Sequence, residues 1–588
     1  MGITILLVAP AMWAVAIIEF LLFSRGYSLR DFAKAVALYA LCAVVATLPM
    51  AVAGHAPASG SLLLAAFTAF AGQLVYPLIH TITRGPEPRR CVYTADAALG
   101  MCVFGLLSAL LLMGGAWAWI VGPFELLVLG IVVVQITYFA LYGACMDAYG
   151  YRLMTQTNTN EVIEFIRYYP LWISCLLAVL LLGVLACSVY VNVEAAHFHG
   201  GCSLAKTGIA GACCILVACV GGHRSVAARS AFISFVLARR HHMRSLARYA
   251  SCRGVREQGL TAAPLGAPSG KPSTILLVIG ESANRDYMSA FNPSLGRDTT
   301  PWLKASAEDN PQHWMIFPHA YSCAIHTFPA LEKGLTELNQ FNSLDFDTAP
   351  SIVDMARAAG RRVYWFSNQG HLGASLSQVS VVAEQADVAR WTDQQPGLPP
   401  YDSELLPFLD TVDPTTSNLV VLHLKGNHFS FENRYPASEE TWRPDGPADA
   451  ITAYENSMHY VDSILHRAWT MARERLNLEA MVYCSDHAII PDKHRAPTFM
   501  GFGDVRIPLA VWTSPEYEAA HPERVSALRS NTGRYWTNDF LYELICGILD
   551  VESDHFKASN SLAHNTYHYT RDDLTVLNGT IPLSDDRS

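Results

Sequence analysis

Seven apolar stretches, each close to the ~20 residues that a helix needs to cross hydrocarbon, fill most of the first 222 residues: 3–23, 33–53, 62–81, 97–118, 124–144, 171–191 and 204–221. A backbone in lipid finds no water to bond with, so such segments are committed to helices that close their own hydrogen bonds. Five to seven spans are expected. The first stretch has no small-residue cleavage site and is followed by further spans, so it is read as a retained anchor and not as a removed signal peptide.

Charge divides the 588 residues into three parts. Residues 1–222 carry 9 acids and 9 Lys/Arg, residues 223–256 carry 8 Arg and no acid, and the remainder carries 24 Lys/Arg against 42 Asp/Glu, giving net charges of 0, +8 and −18. These are read as a transmembrane helical domain (1–222), a basic interfacial helix and linker (223–272), and a soluble domain (273–588). In the junction Phe232, Val236, Met243 and Leu246 recur at helical spacing while Arg240, Arg244 and Arg248 share one face, the pattern of a helix lying on anionic lipid. Counting positive charge gives the opposite orientation: Arg25, Arg30, Lys34, Arg84, Arg89, Arg90 and the Arg-rich junction favour the cytoplasmic side. Residues 258–272 are rich in Gly, Pro and Ala and read as a linker.

Beyond residue 273, five apolar runs each end in or near polar groups able to bind metal or do chemistry: 274–279 before Glu281, 363–366 before Asn368, 418–424 before His428, 481–484 before Asp486 and His487, and 509–512. Continuous Val/Ile/Leu runs are expected in an open parallel sheet covered on both faces, where ligands bind beyond the carboxyl ends of the strands. The runs alternate with helix-like stretches, as in an α/β domain, and the chemistry is expected along one sheet edge.

Glu281 follows a glycine that lets backbone approach a ligand, although a strand-to-helix turn with an acid near the helix start reads the same way. Asp486 and His487 leave one strand end together; oxygen with nitrogen ligation suits zinc better than magnesium or calcium, and a structural Asp–His pair is the alternative. His428 and His494 are further candidates among 21 His. Thr327, in Cys323-Ala324-Ile325-His326-Thr327, is either a helix cap or a nucleophile that needs a metal to lower its hydroxyl pKa. These residues by themselves point to a membrane-anchored metallohydrolase or transferase.

The ordered motifs Ile279-Gly280-Glu281-Ser282-Ala283-Asn284-Arg285, Arg297-Asp298-Thr299-Thr300-Pro301, Trp365-Phe366-Ser367-Asn368-Gln369, Leu422-His423-Leu424-Lys425-Gly426-Asn427-His428 and Ser485-Asp486-His487 resemble those of the phosphoethanolamine transferases of Gram-negative inner membranes, relatives of the alkaline phosphatase and sulfatase superfamily. Thr157-Asn158-Thr159-Asn160-Glu161 resembles that family's periplasmic element near the lipid donor. The resemblance implies a multi-pass helical membrane domain joined to a sulfatase-like α/β/α sandwich on the periplasmic side. It implies one or two zinc ions, with Glu281, Thr327, Asp486 and His487 as ligands and Thr327 as the nucleophile. Asn368, His428 and His494 would bind phosphoethanolamine or a second metal, and Asn158 and Glu161 would lie near the donor. The implied reaction passes phosphoethanolamine from phosphatidylethanolamine through phosphothreonine to lipopolysaccharide, at lipid A or a core sugar. A monomer with no nucleic-acid partner is expected.

The chain departs from the family pattern in places. Ala488-Ile489-Ile490 stands where Gly-Glu-Ser is usual, the interval to His494 is short, and Lys333 takes the place of a common partner for Cys323. The alternatives are a phosphoglycerol transferase, another hydrolase of the superfamily, or a membrane sensor or scaffold with a degenerate site. A sulfatase proper would need Cys-x-Pro-x-Arg, and Ile325 and Thr327 occupy those places after Cys323.

Overall fold

The computed structural model describes residues 2–25, 29–84, 87–88, 92–143, 171–196, 203–221, 231–260, 263–264, 271–370, 377–393, 401–443, 449–493 and 499–587. Backbone contacts divide the chain into two units, a helical one within Met1–Thr155 and Tyr169–His242, and an α/β one that takes in Met243–Ser588.

In the helical unit, the described helices Gly2–Phe23, Leu29–Ala53, Ser59–Arg84, Val92–Met113, Ala118–Tyr142, Leu171–Ala196 and Leu204–Gly221 fall on the seven apolar stretches. Its interior is lined largely by small side chains, among them Ala16, Ala35, Ala46, Ala65, Ala69 and Ala97, while large apolar ones such as Leu63, Val179 and Ile209 are exposed. That is the reverse of a soluble domain and is what lipid as solvent selects, because helices then associate through close packing of small residues. Gly105 shows the closeness: a Cβ there would lie 2.7 Å from both Ala46 Cα and Cys214 Sγ, on two other helices. Among the described residues, Phe32–Ala53 and Gly115–Ala140 are long and apolar enough to cross a membrane.

In the α/β unit a seven-stranded sheet runs in the order β2-β7-β6-β1-β5-β3-β4, where β1 is Thr274–Gly280, β2 Trp314–Ile316, β3 Arg362–Ser367, β4 Val388–Trp391, β5 Asn418–His423, β6 Leu478–Ser485 and β7 Leu509–Thr513. Successive side chains of a strand point to opposite faces, and each strand feeds two cores accordingly. Ile275, Leu277 and Ile279 of β1 join one core, together with Ile352 and Leu544 from helices on that side. Leu276 and Val278 join the other, with Tyr454, Val461 and Leu465 of the helix Ala450–Arg475. The result is an α/β/α sandwich. Truncating a central residue such as Leu277, which is wholly buried, to alanine would cost roughly 2–5 kcal/mol.

Two sequence expectations are corrected here. The five runs are all strands, but β7 lies antiparallel to β6, so its carboxyl end points to the far edge. β2 is antiparallel to β7 in turn, so the chain leaving Ile316 reaches the same edge as the ends of β1, β3, β5 and β6. The α/β unit also begins before residue 273. Leu246 and Tyr249 of the helix Ala231–Ser251 are buried in its core, and the wholly buried Arg256 donates from Nε to Asp354 Oδ2 at 3.1 Å. Ala263–Pro264 pairs with Val551–Glu552, so the expected linker contributes a backbone ladder. Two apolar side chains three apart on a helix, followed by an arginine with a buried acid in reach, are enough to dock the end of the junction. Arg240, Arg244 and Arg248 remain on its exposed side.

Candidate metal centre and active site

The register of β1 and β6 places the site. Gly280 pairs with Ser485, so the next residues, Glu281 and Asp486, leave the sheet side by side, followed by His487. All three are buried, and one ligand atom from each lies within 4.8 Å of the other two. His487 Nδ1 lies 2.9 Å from the carbonyl oxygen of Ala488. A carbonyl can only accept, so Nδ1 carries the proton and Nε2 turns toward Glu281 Oε1 at 3.3 Å and Asp486 Oδ2 at 3.5 Å. Asp486 Oδ1 accepts from Ser282 N at 2.9 Å and His487 N at 2.6 Å. Asp486 Oδ2 is buried without a hydrogen-bond partner.

Two carboxylates and an imidazole lone pair turned toward one another repel unless a cation lies between them. Burial, and next the charge of Glu281, push the Asp486 carboxyl up to about 7. Ligands held at ~2.0–2.1 Å in a tetrahedral zinc site stand roughly 3.3–3.5 Å apart, and the separations of 3.3 and 3.5 Å from His487 Nε2 match that spacing. The donor set and the orphaned oxygen therefore fit zinc.

Thr327 reaches the site by another route. It is the first residue of the helix Thr327–Gly334, partly exposed, and its Oγ1 donates to Glu281 Oε2 at 2.9 Å. A helix amino terminus offers unpaired N–H groups and positive dipole to a phosphate. The turn before it is fixed by Asn538, whose Oδ1 accepts from Cys323 N at 2.9 Å and whose Nδ2 donates to Asp486 O at 2.6 Å. Cys323 is a free, buried thiol, and burial pushes its pKa up.

The remaining sequence candidates fare differently. Asn368, at the end of β3, donates from Nδ2 to Asp402 Oδ1 at 2.8 Å and accepts at Oδ1 from Thr392 Oγ1 at 2.6 Å. Its amide therefore links these two loops. Its neighbour Gln369 is the residue that reaches the site, donating from Nε2 to Glu281 Oε2 at 3.3 Å and to Leu424 O at 2.7 Å. His428 is buried in the turn after β5, one residue beyond Asn427, whose N–H donates to Glu281 O at 2.9 Å; its imidazole is not among the three converging groups. His494, Asn158 and Glu161 lie outside the described residues.

Sequence reasoning missed several supports. Ser282 takes a positive φ of 58°, strain of ~1–3 kcal/mol of the kind kept at functional sites, and its Oγ donates to Glu281 Oε1 at 2.6 Å. Tyr454 closes the same turn: its hydroxyl accepts from Asn284 N and donates to Ser282 O, both at 2.8 Å. The departure at 488–490 is packed in: Ala488 and Ile489 are buried, and a Cβ on Gly503 would lie 2.8 Å from Ile490 Cγ1.

Residues 273–545 match the sulfatase family model. The chain is 28% identical over 281 residues to phosphoethanolamine transferase EptC of Escherichia coli (strain K12), an alignment covering 44% of this chain and 48% of that protein. It is 28% identical over 237 residues to phosphoethanolamine transferase EptA of Helicobacter pylori, covering 38% and 43%. The chain thus spans about half the length of the curated relatives it matches. In three dimensions it resembles the integral membrane protein lipooligosaccharide phosphoethanolamine transferase A of Neisseria meningitidis, with a TM-score of 0.58 and 17% identity over 85% of this chain and 98% of that one. At that identity the likeness speaks for the two-part fold. Residues 273–545 thus carry a sulfatase-type domain, and the chain is similar in sequence to phosphoethanolamine transferases and in fold to one of their full-length structures.

Proposed function

We propose that this chain is a zinc-dependent phosphoethanolamine transferase of a bacterial inner membrane with its α/β unit in the periplasm. The observation that carries this reading is the convergence of Glu281, Asp486 and His487 on one point, with the Thr327 hydroxyl hydrogen-bonded to Glu281. Glu281, Asp486, His487 and Thr327 would hold a zinc ion. When bound, that ion lowers the pKa of a neighbouring hydroxyl and screens phosphate charge.

The reaction is a double displacement. Thr327 gives up its hydroxyl proton toward Glu281 Oε2, and Oγ1 forms a bond to the phosphorus of phosphatidylethanolamine. The bond from phosphorus to the glycerol oxygen breaks, and diacylglycerol leaves with a proton. An acceptor hydroxyl or phosphate oxygen of lipopolysaccharide, on lipid A or a core sugar, then bonds to phosphorus, and Thr327 Oγ1 departs and regains its proton. The amino terminus of the helix Thr327–Gly334 faces its N–H groups to the phosphate in both steps. His428 and His494 take the ethanolamine phosphate or a second metal, and Asn158 and Glu161 lie toward the donor. The exposed Arg240, Arg244 and Arg248 rest on anionic lipid.

The test is to incubate the full chain with phosphatidylethanolamine labelled in its headgroup and to locate the label by mass spectrometry. Label on Thr327 that is absent from Thr327→Ala supports the reading. Label taken only from phosphatidylglycerol would make the chain a phosphoglycerol transferase, and no covalent label from either donor would end the phosphothreonine mechanism.

A further inference from the structure

Asp402 belongs to none of the motifs that mark the site. It opens the 3-10 helix Asp402–Thr411, yet it is only 2% exposed. Both carboxylate oxygens are committed. Oδ1 accepts from Asn368 Nδ2 at 2.8 Å and from Lys425 N at 2.7 Å, and Oδ2 accepts from Gly426 N at 2.8 Å. One acid thus ties the loop after β3 to the turn after β5.

Both tied segments end on Glu281. From the turn after β5, Asn427 N donates to Glu281 O at 2.9 Å, and Gly426, at φ +51°, sits so close that a Cβ there would lie 2.9 Å from Glu281 O and 3.0 Å from its N. From the loop after β3, Gln369 Nε2 donates to Glu281 Oε2, and Lys425 Nζ lies 3.4 Å from Gln369 Oε1, which sets the amide with its nitrogen toward the acid. Glu281 is therefore held by its backbone from one loop and by its carboxylate from the other, and Asp402 is where those loops meet. We propose that Asp402 is a positioning residue of the metal centre, holding Glu281 in ligand geometry through Gly426–Asn427 and Asn368–Gln369. This rests on the reading of Glu281 as a zinc ligand.

Groups that orient metal ligands typically change affinity by 10–100-fold when lost. The experiment measures zinc affinity of the detergent-solubilised full chain by chelator competition, with zinc alone as probe, alongside the melting temperature of the zinc-free chain. Asp402→Asn keeps the size but turns an amide nitrogen toward backbone N–H donors. Asp462→Asn is the control: Asp462 is equally buried at 2% and accepts from Trp302 N at 2.8 Å and Leu303 N at 3.1 Å, capping the helix Pro301–Asp309. The expected result is a loss of about tenfold or more in zinc affinity for Asp402→Asn and none for Asp462→Asn. Equal zinc affinity in wild type and Asp402→Asn, or equal losses in both variants, would overturn the inference. If Asp402→Asn does not fold, Gln369→Leu tests the same strut, with a several-fold loss expected and unchanged affinity counting against it. Zinc that binds and is lost in Glu281→Ala, but not in Asp402→Asn or Gln369→Leu, sinks this inference alone. A wild-type chain that binds no Glu281-dependent zinc sinks the functional reading and this inference with it.

Discussion

Asp486, just beyond the end of β6, and Asp402, which opens a 3-10 helix and bonds the segments that follow β3 and β5, are both buried acids, and their hydrogen bonding differs in kind. Asp402 has three donors on two oxygens. Asp486 has donors on Oδ1 alone, while its Oδ2 faces His487 Nε2 with no hydrogen bond. A buried polar atom without a partner costs ~1–3 kcal/mol, a cost that a bound cation removes. The contrast teaches that depth of burial does not separate a ligand from a brace; the count of satisfied oxygens does.

The largest effect is expected at Thr327, the proposed nucleophile. Thr327→Ala should lower transfer by at least about 10³-fold while leaving the melting temperature of the zinc-free chain largely intact, which activity assays and calorimetry of the purified chain would check. Activity surviving in that variant would detach the helix terminus from the chemistry.

The comparison itself is sharpened by Asp486→Asn. Oδ1 keeps its two N–H donors, and the new amide nitrogen faces Glu281 in place of a repelling oxygen. Zinc affinity should fall by more than about 100-fold, while the zinc-free melting temperature should rise by about 2–4 °C. A fall in zinc-free stability would show that the acid pair is not strained by its own charge. Asp402→Asn is expected to act more weakly on zinc and, unlike Asp486→Asn, to lower stability, since it leaves backbone N–H donors unmatched.

The smallest effect lies away from the site. Burial pushes Glu543 up to about 8 from an ordinary 4.5, against a single backbone donor, Lys557 N, at 3.0 Å. A folded pKa above the unfolded one means that the native state holds the proton more tightly, so this stability is complete below about 4.5 and is lost as pH rises through about 8. The melting temperature should drop between about pH 4.5 and 8, and Glu543→Gln should flatten that slope. An unchanged slope would mean that Glu543 is already ionised and satisfied in the folded chain.

Much of the architecture was legible from residue order. Seven apolar stretches marked seven described helices, and five apolar runs marked β1, β3, β5, β6 and β7, because length and hydrophobicity are local properties. β2 and β4, at three and four residues, carry too little pattern to be found, and an apolar run holds no record of the direction in which it will pair. The trio Glu281, Asp486 and His487 was legible because each follows a strand end. Gln369, Tyr454, Asn538 and Asp402 were not, since each looks like an ordinary polar residue of a loop or helix.

What the amino-acid sequence determined, then, was the division into an apolar helical part and an acidic α/β part, and the chemistry available at the strand ends. The tertiary structure alone decided that β7 turns back, that the end of the basic junction is buried through Leu246, Tyr249 and Arg256, and that Asn368 braces while Gln369 reaches Glu281. The physical reason is that a side chain's role depends on which donors, acceptors and charges surround it. Those neighbours lie up to about 200 positions away along the chain, as with Ser282 and Asp486, 204 residues apart, and only the packed sheet brings them together.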